Sequence, residues 1–343
     1  MSVAGRIDAF QRRYPASGYP LAVAYKFFDD QGGYLAALIA YYGFISLFPL
    51  LLVFTSVLGF LLHDNPELQE RIVDSALSQI PVVGSQLGGT NQLTGSTAAV
   101  TIGIVSAIYG GLGVAVAVQN AMNIAWTVPR NSRPNPVHVR IKGAVLLFTV
   151  GVAIIGLTVL NGFVAAVNLG ADGRFLAIAG SIVLNAGVFL VAFLYGTARS
   201  VGVRDVLPGV IAAAVLWQGL QTFGAVYVQR VIARAGATYG VFAVVLGLLA
   251  FLYIAAVLIV ICVECNVVRV DKLYPRSLLT PFTDNVVLTD GDKAAYSAAA
   301  KAQRHKGFER IAVTFHRQGD RPKAEPRDTE ESPVVRPPDH RSG

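Results

Sequence analysis

Charge is what this chain has least of. Only 14% of its 343 residues are Asp, Glu, Lys or Arg, against about 25% in a soluble domain. The deficit is concentrated: no charged residue occurs in 31–62, 143–171, 175–198 or 206–229. Uncharged, mostly apolar runs of about 18 residues or more are candidates for helices that cross a bilayer. The length would allow two soluble domains; the clustering points instead to one membrane bundle with polar ends. Cysteine is nearly as scarce. Cys262 and Cys265 sit inside one apolar run, which excludes a secreted disulfide framework. No thioredoxin-like strand–helix context surrounds Cys-Val-Glu-Cys, so the pair reads as small apolar helix residues. Histidine occurs five times, scattered at His63, His138, His305, His316 and His340. Metal-dependent phosphodiester cleavage needs clustered His and carboxylates, and a nucleotide site needs Gly-x-x-x-x-Gly-Lys-Ser/Thr. Neither pattern occurs, so the chain is not expected to be an enzyme, a nuclease included, and no cofactor or metal is expected.

What is there reads as an all-α fold, a polytopic membrane bundle of six helices at about 34–62, 97–122, 142–168, 175–198, 206–231 and 240–268. Residues 1–33 form a leading segment without the apolar core and cleavage site of a removable signal peptide. Within it, "PLAVAYKFFDDQ" (20–31) mixes aromatics with charges and is expected to lie as a short helix at the interface. Between the first two spans, Asn65 caps, Pro66 opens, and Leu68, Ile72, Ala76 and Ile80 recur every fourth residue, predicting a periplasmic amphipathic helix. Residues 271–343 form a tail with one short helix around 291–305 and an Arg/Pro/Asp/Glu-rich, disordered end from about 318.

The formal charge is +7. The basic residues lie between and beyond the apolar runs, where they hold helix ends at an anionic membrane face. Membrane lipids are therefore the expected partners, and nucleic acid is not. The leading segment carries Arg6, Arg12, Arg13 and Lys26, and "VPRNSRPNPVHVRIK" carries Arg130, Arg133, Arg140 and Lys142. The 63–96 loop has only Arg71, and "LGADGR" only Arg174. Counted this way, both termini are expected in the cytoplasm.

Several spans carry residues that an inert anchor would not. The first reads "ALIAYYGFISLFPLLLVF" (37–54). Pro49 removes a helix donor and clashes with the Ile45 carbonyl, which Ser46 is placed to relieve. Tyr42, Ser46 and Pro49 share a helical face, next to Tyr41. In the second span, Gly103, Ala107, Gly111 and Ala115 recur every fourth residue, as do Gly113, Ala117, Ala121 and Ala125. Small residues at that spacing let backbones approach, and the first ladder is the expected packing face. Such faces suit contacts within the chain, in a homo-oligomer or with an envelope protein. Asn161, Gln218 and Gln221 each need a partner in the bundle or water in a cavity. Glu264 is the one acid well inside a span and is a candidate for transport or proton coupling, or for structural pairing. Tyr42, at similar depth on the first helix, is its expected partner.

Four stretches together resemble the YihY/virulence factor BrkB family of bacterial inner-membrane proteins. "AYYGFISLFPLLL" (40–52) is similar to the family's first span, and "AWTVPRNSRP" (125–134), with Trp126, Pro129, Arg130 and Arg133, to its cytoplasmic loop. "LPGVIAAAVLWQGLQ" (207–221) is similar to its fifth span. The last span ends Cys262-Val263-Glu264-Cys265-Asn266, where the family typically reads Gly-Ala-Glu-Leu-Asn. The resemblance covers about residues 20–270 and implies six membrane helices in a bacterial inner membrane. It implies no settled activity, since members were once labelled ribonuclease. A transporter or translocator of lipid or another envelope component is the expected function, and a non-catalytic scaffold for envelope proteins is the alternative.

Overall fold

The computed structural model describes residues 3–61, 67, 97–167, 170–227, 233–280, 283 and 286–316. Within them the chain is helical, and no strand occurs among the described residues. Two short helices, α1 (Val3–Arg13) and α2 (Tyr19–Asp29), lead into six long ones. These are α3 (Gly32–Leu61), α4 (Thr97–Ala125), α5 (Pro136–Val167), α6 (Gly170–Tyr195), α7 (Val203–Tyr227) and α8 (Ala233–Val270). A last short helix, α9 (Asp290–Ala302), follows. Four stretches among the described residues are long and apolar enough to cross a membrane: Pro136–Leu157, Phe175–Tyr195, Val203–Gly224 and Val245–Val270. The apolar stretch Gly32–Leu47 of α3 is shorter. The 63–96 amphipathic helix, Asn168 and the disordered end after 317 lie outside the described residues.

The helix boundaries have local causes. Asn135 Oδ1 accepts from the His138 amide at 2.9 Å and so caps α5, with Pro136 as its first residue. This helix therefore begins inside the basic segment expected to be a loop. α9 starts with a reciprocal capping box between Thr289 and Asp292. α4 ends with Thr127 at φ 49°, and the Val128 amide reaches back to the Asn123 carbonyl at 2.8 Å. α8 ends the same way, with Lys272 at φ 52° and the Leu273 amide on the Val268 carbonyl at 3.0 Å. Both are left-handed helix ends of the kind glycine usually supplies.

The long helices form three hairpins, α3/α4, α5/α6 and α7/α8, and the start and finish of each meet at one end of the bundle, the basal face. Lys26, just before α3, donates to the Ala125 carbonyl that closes α4, at 2.9 Å. Gln119 of α4 donates to the Val139 carbonyl near the start of α5 at 2.9 Å. Asn123 accepts from the Ala198 amide just beyond α6 at 2.7 Å. Arg269 at the end of α8 donates to the Arg204 and Asp205 carbonyls at the start of α7, each at 2.8 Å. Beneath this face lies a core that includes Trp126, Phe193, Val206, Val210, Val267 and Val268. A second cluster, Leu35, Ala36, Ile39, Ala117, Ala121, Ala256 and Val260, fills the seam of α3, α4 and α8. On α5, α6 and α7 large apolar side chains point outward, including Phe148, Val159, Val183 and Phe223. That outward apolar surface suits hydrocarbon and would be an aggregation liability in water.

The second alanine ladder faces α3 and α8. A Cβ on Gly113 would come within 2.5 Å of the Tyr42 ring, and one on Gly110 within 2.9 Å of Ser46 Cα. Ala117 and Ala121 continue the seam. Of the first ladder, Ala115 turns to α5, where it meets Gly143, and Gly111 is buried. The side chains of Gly103, Ala107 and Asn161 lie outside the described residues.

α2 packs closely on the bundle. Ala22, Val23 and Lys26 are buried against the bundle, and the Tyr19 hydroxyl donates to the Cys265 carbonyl of α8 at 2.7 Å. Its apolar face is long enough to be enclosed, and its one buried cation finds partners there. The C-terminal segment is tied to α1, and α9 stands where the short helix around 291–305 is expected. Asp8 accepts from the Leu278 amide at 2.9 Å, and Arg12 donates to the Val287 carbonyl at 2.7 Å.

Candidate functional site

Residues 29 and 30 are consecutive aspartates, and they face two different buried cations. Asp30 pairs with Lys26, which lies one turn earlier on α2 and is 2% exposed. The Lys26 ammonium also lies 3.5 Å from Glu264 Oε2. Glu264 is fully buried, and neither of its oxygens has a donor among the described protein groups. A desolvated carboxyl without a donor is costly, so this acid depends on the ammonium. Burial works against the Lys26 charge, but the attraction of Glu264 and Asp30 outweighs it and holds the ammonium above its ordinary range. Burial pushes Asp30 above the usual carboxylate range, against the pull of Lys26. Two carboxyl groups thus share one ammonium in a largely buried site.

Asp29 turns the other way. Arg276 of the C-terminal segment, 1% exposed, donates to Asp29 at 3.0 Å and to Asp292 at 2.6 Å. Its guanidinium also stacks on the rings of Tyr25 and Tyr296, at 5.7 and 5.2 Å from their centroids. Burial opposes its charge; the two aspartates more than offset this and raise its pKa. The Asp29–Asp30 pair therefore joins the acid at the end of α8 to the docked C-terminal segment. The turn is tight, with Gln31 at φ 56°, and the non-glycine residues of positive φ among the described residues, Gln31, Thr127 and Lys272, all sit on the basal face. Local strain of this kind gathers where the surrounding structure fixes it.

Asn266, two residues beyond Glu264, serves α7. Its Oδ1 accepts from the Gly209 amide at 2.8 Å and its Nδ2 donates to the Val206 carbonyl at 3.0 Å. Pro208 has no amide to give to the Arg204 carbonyl, and Arg269 takes that carbonyl instead. The Leu-Pro-Gly start of α7 and the Glu-Cys-Asn end of α8 are thus two halves of one backbone clamp. The Trp126 loop is held nearby. Trp126 is buried, with the Arg199 guanidinium 5.1 Å from its ring centroid, and Arg199 forms a bidentate pair with Asp271 at 2.7 and 2.8 Å. Pro129 leads a 3-10 turn at Arg130–Ser132. Arg133 donates to Asn120 at 3.2 Å, and Arg130 is exposed.

The other expected site residues do not gather around the acid. Tyr42 packs on Gly113, and its neighbour Gly43 lies against Leu252, twelve residues or about 18 Å of helical rise before Glu264. The partner of Glu264 is Lys26. Ser46 donates to the Gly43 carbonyl at 3.1 Å rather than to that of Ile45, and α3 continues as helix through Pro49. Tyr41 faces outward, 55% exposed. Gln218 buries its Oε1 without a partner among the described groups, and Gln221 is half-buried on the same helix. The cavity beside the α3/α4/α8 seam is lined by apolar side chains, among them Ile39, Ala121, Met122 and Val260. Lys26 and Asp30 were the site residues that sequence reasoning missed. Their signal was present: Ala22, Lys26 and Asp30 follow the four-residue spacing of one helical face.

YfkH of Bacillus subtilis (strain 168), whose name describes it as ribonuclease-like, is 24% identical over 253 residues, covering 69% of this chain and 89% of that protein. No solved structure matches. The family model "Virulence factor BrkB" matches residues 23–281, from α2 through the docked segment that carries Arg276. The match takes in both aspartates, Lys26 and the whole α7/α8 clamp, and extends past the expected limit near 270. The chain belongs to the BrkB virulence factor family of membrane proteins.

Proposed function

We propose that the chain crosses a bacterial plasma membrane six times, as three hairpins with both termini in the cytoplasm, and moves a lipid or another envelope component across it. The observation that carries this reading is the enclosed Lys26–Asp30–Glu264 cluster at the end of an apolar helix. Charged groups at such a place are expensive and are functional by default. The close crossing of α3 and α4 at Gly110 and Gly113 supports it, because small residues leave a seam that can shift without unlocking large side chains. On this reading the structure is a closed state, consistent with the apolar lining of the cavity at that seam. The basic residues of the basal face orient it toward the cytoplasm. The test is translocation of labelled lipids and envelope precursors by the purified chain in liposomes. Movement above protein-free vesicles that falls with Glu264→Ala supports the reading; none, from folded protein, overturns it.

A second reading, a non-catalytic scaffold for envelope proteins or a homo-oligomer, draws on one observation. The C-terminal segment is docked on α1 and α2 through Asp8, Arg12 and Arg276, which presents a fixed basal surface. Crosslinking in cells would recover one reproducible partner if this reading holds. Nuclease chemistry is not proposed: among the described residues no three His, Cys, Asp or Glu side chains form a metal-holding group.

A further inference from the structure

We propose that Asp30 and Glu264 hold a single proton between them beside Lys26, and that its release loosens the contact of α2 with α8. The charge count is the starting point. One ammonium faces two carboxyls; Lys26 and Glu264 are buried, and the Asp30 side chain is 8% exposed. With both carboxyls ionised the largely buried site carries a net negative charge, and two carboxylates beside one ammonium in such a site resist ionising together. Among the described residues neither Glu264 oxygen receives a hydrogen bond from a donor group, so the Lys26 ammonium at 3.5 Å is what favours its ionised form.

Among the described residues the packed elements offer no second cation. From α4 the site receives the Ala125 carbonyl, which already takes a proton of Lys26. From α2, Asp29 is turned to Arg276, and Arg276 is divided between Asp29 and Asp292. From α8, the carbonyl of Cys265 is taken by the Tyr19 hydroxyl. Arg269 is committed to the Arg204 and Asp205 carbonyls. The cluster is therefore one charge short of balance, and a proton is the smallest ligand that closes it.

The step is a simple dissociation. The shared carboxyl gives its proton to water at the basal face and leaves two carboxylates and one ammonium. The excess anion favours any arrangement that lets water reach the pair, which means separating α2 from α8. Coupling of that opening to transport rests on the transport reading; the proton itself does not.

Infrared difference spectroscopy on the full chain in phospholipid nanodiscs tests the proton directly. The wild type is expected to show the carbonyl band of a protonated carboxylic acid at neutral pH. Glu264→Gln is expected to abolish it, because Asp30 then pairs alone with Lys26, and Asp30→Asn is expected to abolish it for the mirror reason. A band missing from the wild type, or surviving either substitution, overturns the shared proton. Hydrogen exchange of residues 19–30, corrected for intrinsic rates, tests the opening. Protection is expected to fall by up to about tenfold per pH unit between the titration of the opened pair and that of the enclosed pair, and to level off above the latter; a profile flat throughout overturns the switch. A liposome assay without translocation, beside a positive infrared result, would remove transport and leave the proton site standing.

Discussion

The Asn266 side chain accepts from the Gly209 amide and donates to the Val206 carbonyl, at 2.8 and 3.0 Å. A side chain at the end of α8 thereby bonds two backbone groups near the start of α7, beside Pro208, where the ladder is interrupted. The approach needs glycine, because a Cβ at 209 would overlap Asn266 Nδ2 and the Cys262 carbonyl. Gly209→Ala is expected to destabilise the bundle by about 1–3 kcal/mol through overpacking. Asn266→Ala removes two hydrogen bonds from a buried contact and is expected to cost about 1–3 kcal/mol. Because they act on one contact, their effects in the double variant should fall short of the sum. Thermal unfolding in detergent measures all three.

Lys26 and Glu264 should respond in opposite directions. Lys26→Met strands two carboxyls in a buried site and is expected to cost about 3–5 kcal/mol. Glu264→Gln keeps the shape and removes the surplus acid, so stability is expected to be unchanged or slightly raised. Equal loss in both variants would contradict the charge count.

The docked C-terminal segment should loosen in acid. Burial tends to raise the Asp8 carboxyl, but the hydrogen bond from the Leu278 amide and its contacts with Arg12 and Gln11 bring it below the ordinary value of 3.8. A depressed carboxyl stabilises the fold above its unfolded value and loses that contribution as pH falls through the folded one. The contact between α1 and residues 276–287 is thus expected to weaken below about pH 4. Asp8→Asn should weaken it at neutral pH and flatten the acid response. Hydrogen exchange of residues 276–287 reads both.

Thr127 holds φ 49° at the end of α4. A β-branched residue in that region is disfavoured by roughly 1–2 kcal/mol, and glycine is not. Thr127→Gly is expected to raise stability by up to about 1 kcal/mol once the greater freedom of the unfolded chain is counted. A lower unfolding temperature would mean that the threonine side chain contributes more than its backbone costs.

Much of the fold could be read from the sequence because hydrocarbon imposes a coarse rule: long uncharged runs become helices, and charges mark their ends. The six long helices follow the six apolar runs to within a few residues at most ends. The exceptions are places where polar residues join a helix, as at Pro136, where a proline start and an asparagine cap extend α5 into the basic segment. Glu264 and Asn266 stood out as polar groups in an apolar run. Their partners did not, because Lys26, Asp30 and Gly209 come from segments far off in the chain that look ordinary alone. Choosing between two alanine ladders was likewise beyond periodicity, since both faces of α4 are covered, one by α3 and α8 and one by α5.

The central claim is that three helical hairpins return to one face, so the number of crossings is even and the termini share a side. Single cysteines in a background lacking Cys262 and Cys265 test it with a membrane-impermeant thiol reagent. Ile7→Cys and Val287→Cys, at positions 50% and 72% exposed, are expected to label from the same side of sealed vesicles. Cysteines at 90, 171 and 230, between the members of each pair, are expected to label only from the other. Labelling of positions 7 and 287 from opposite sides, or of any of the three from the basal side, would contradict the account.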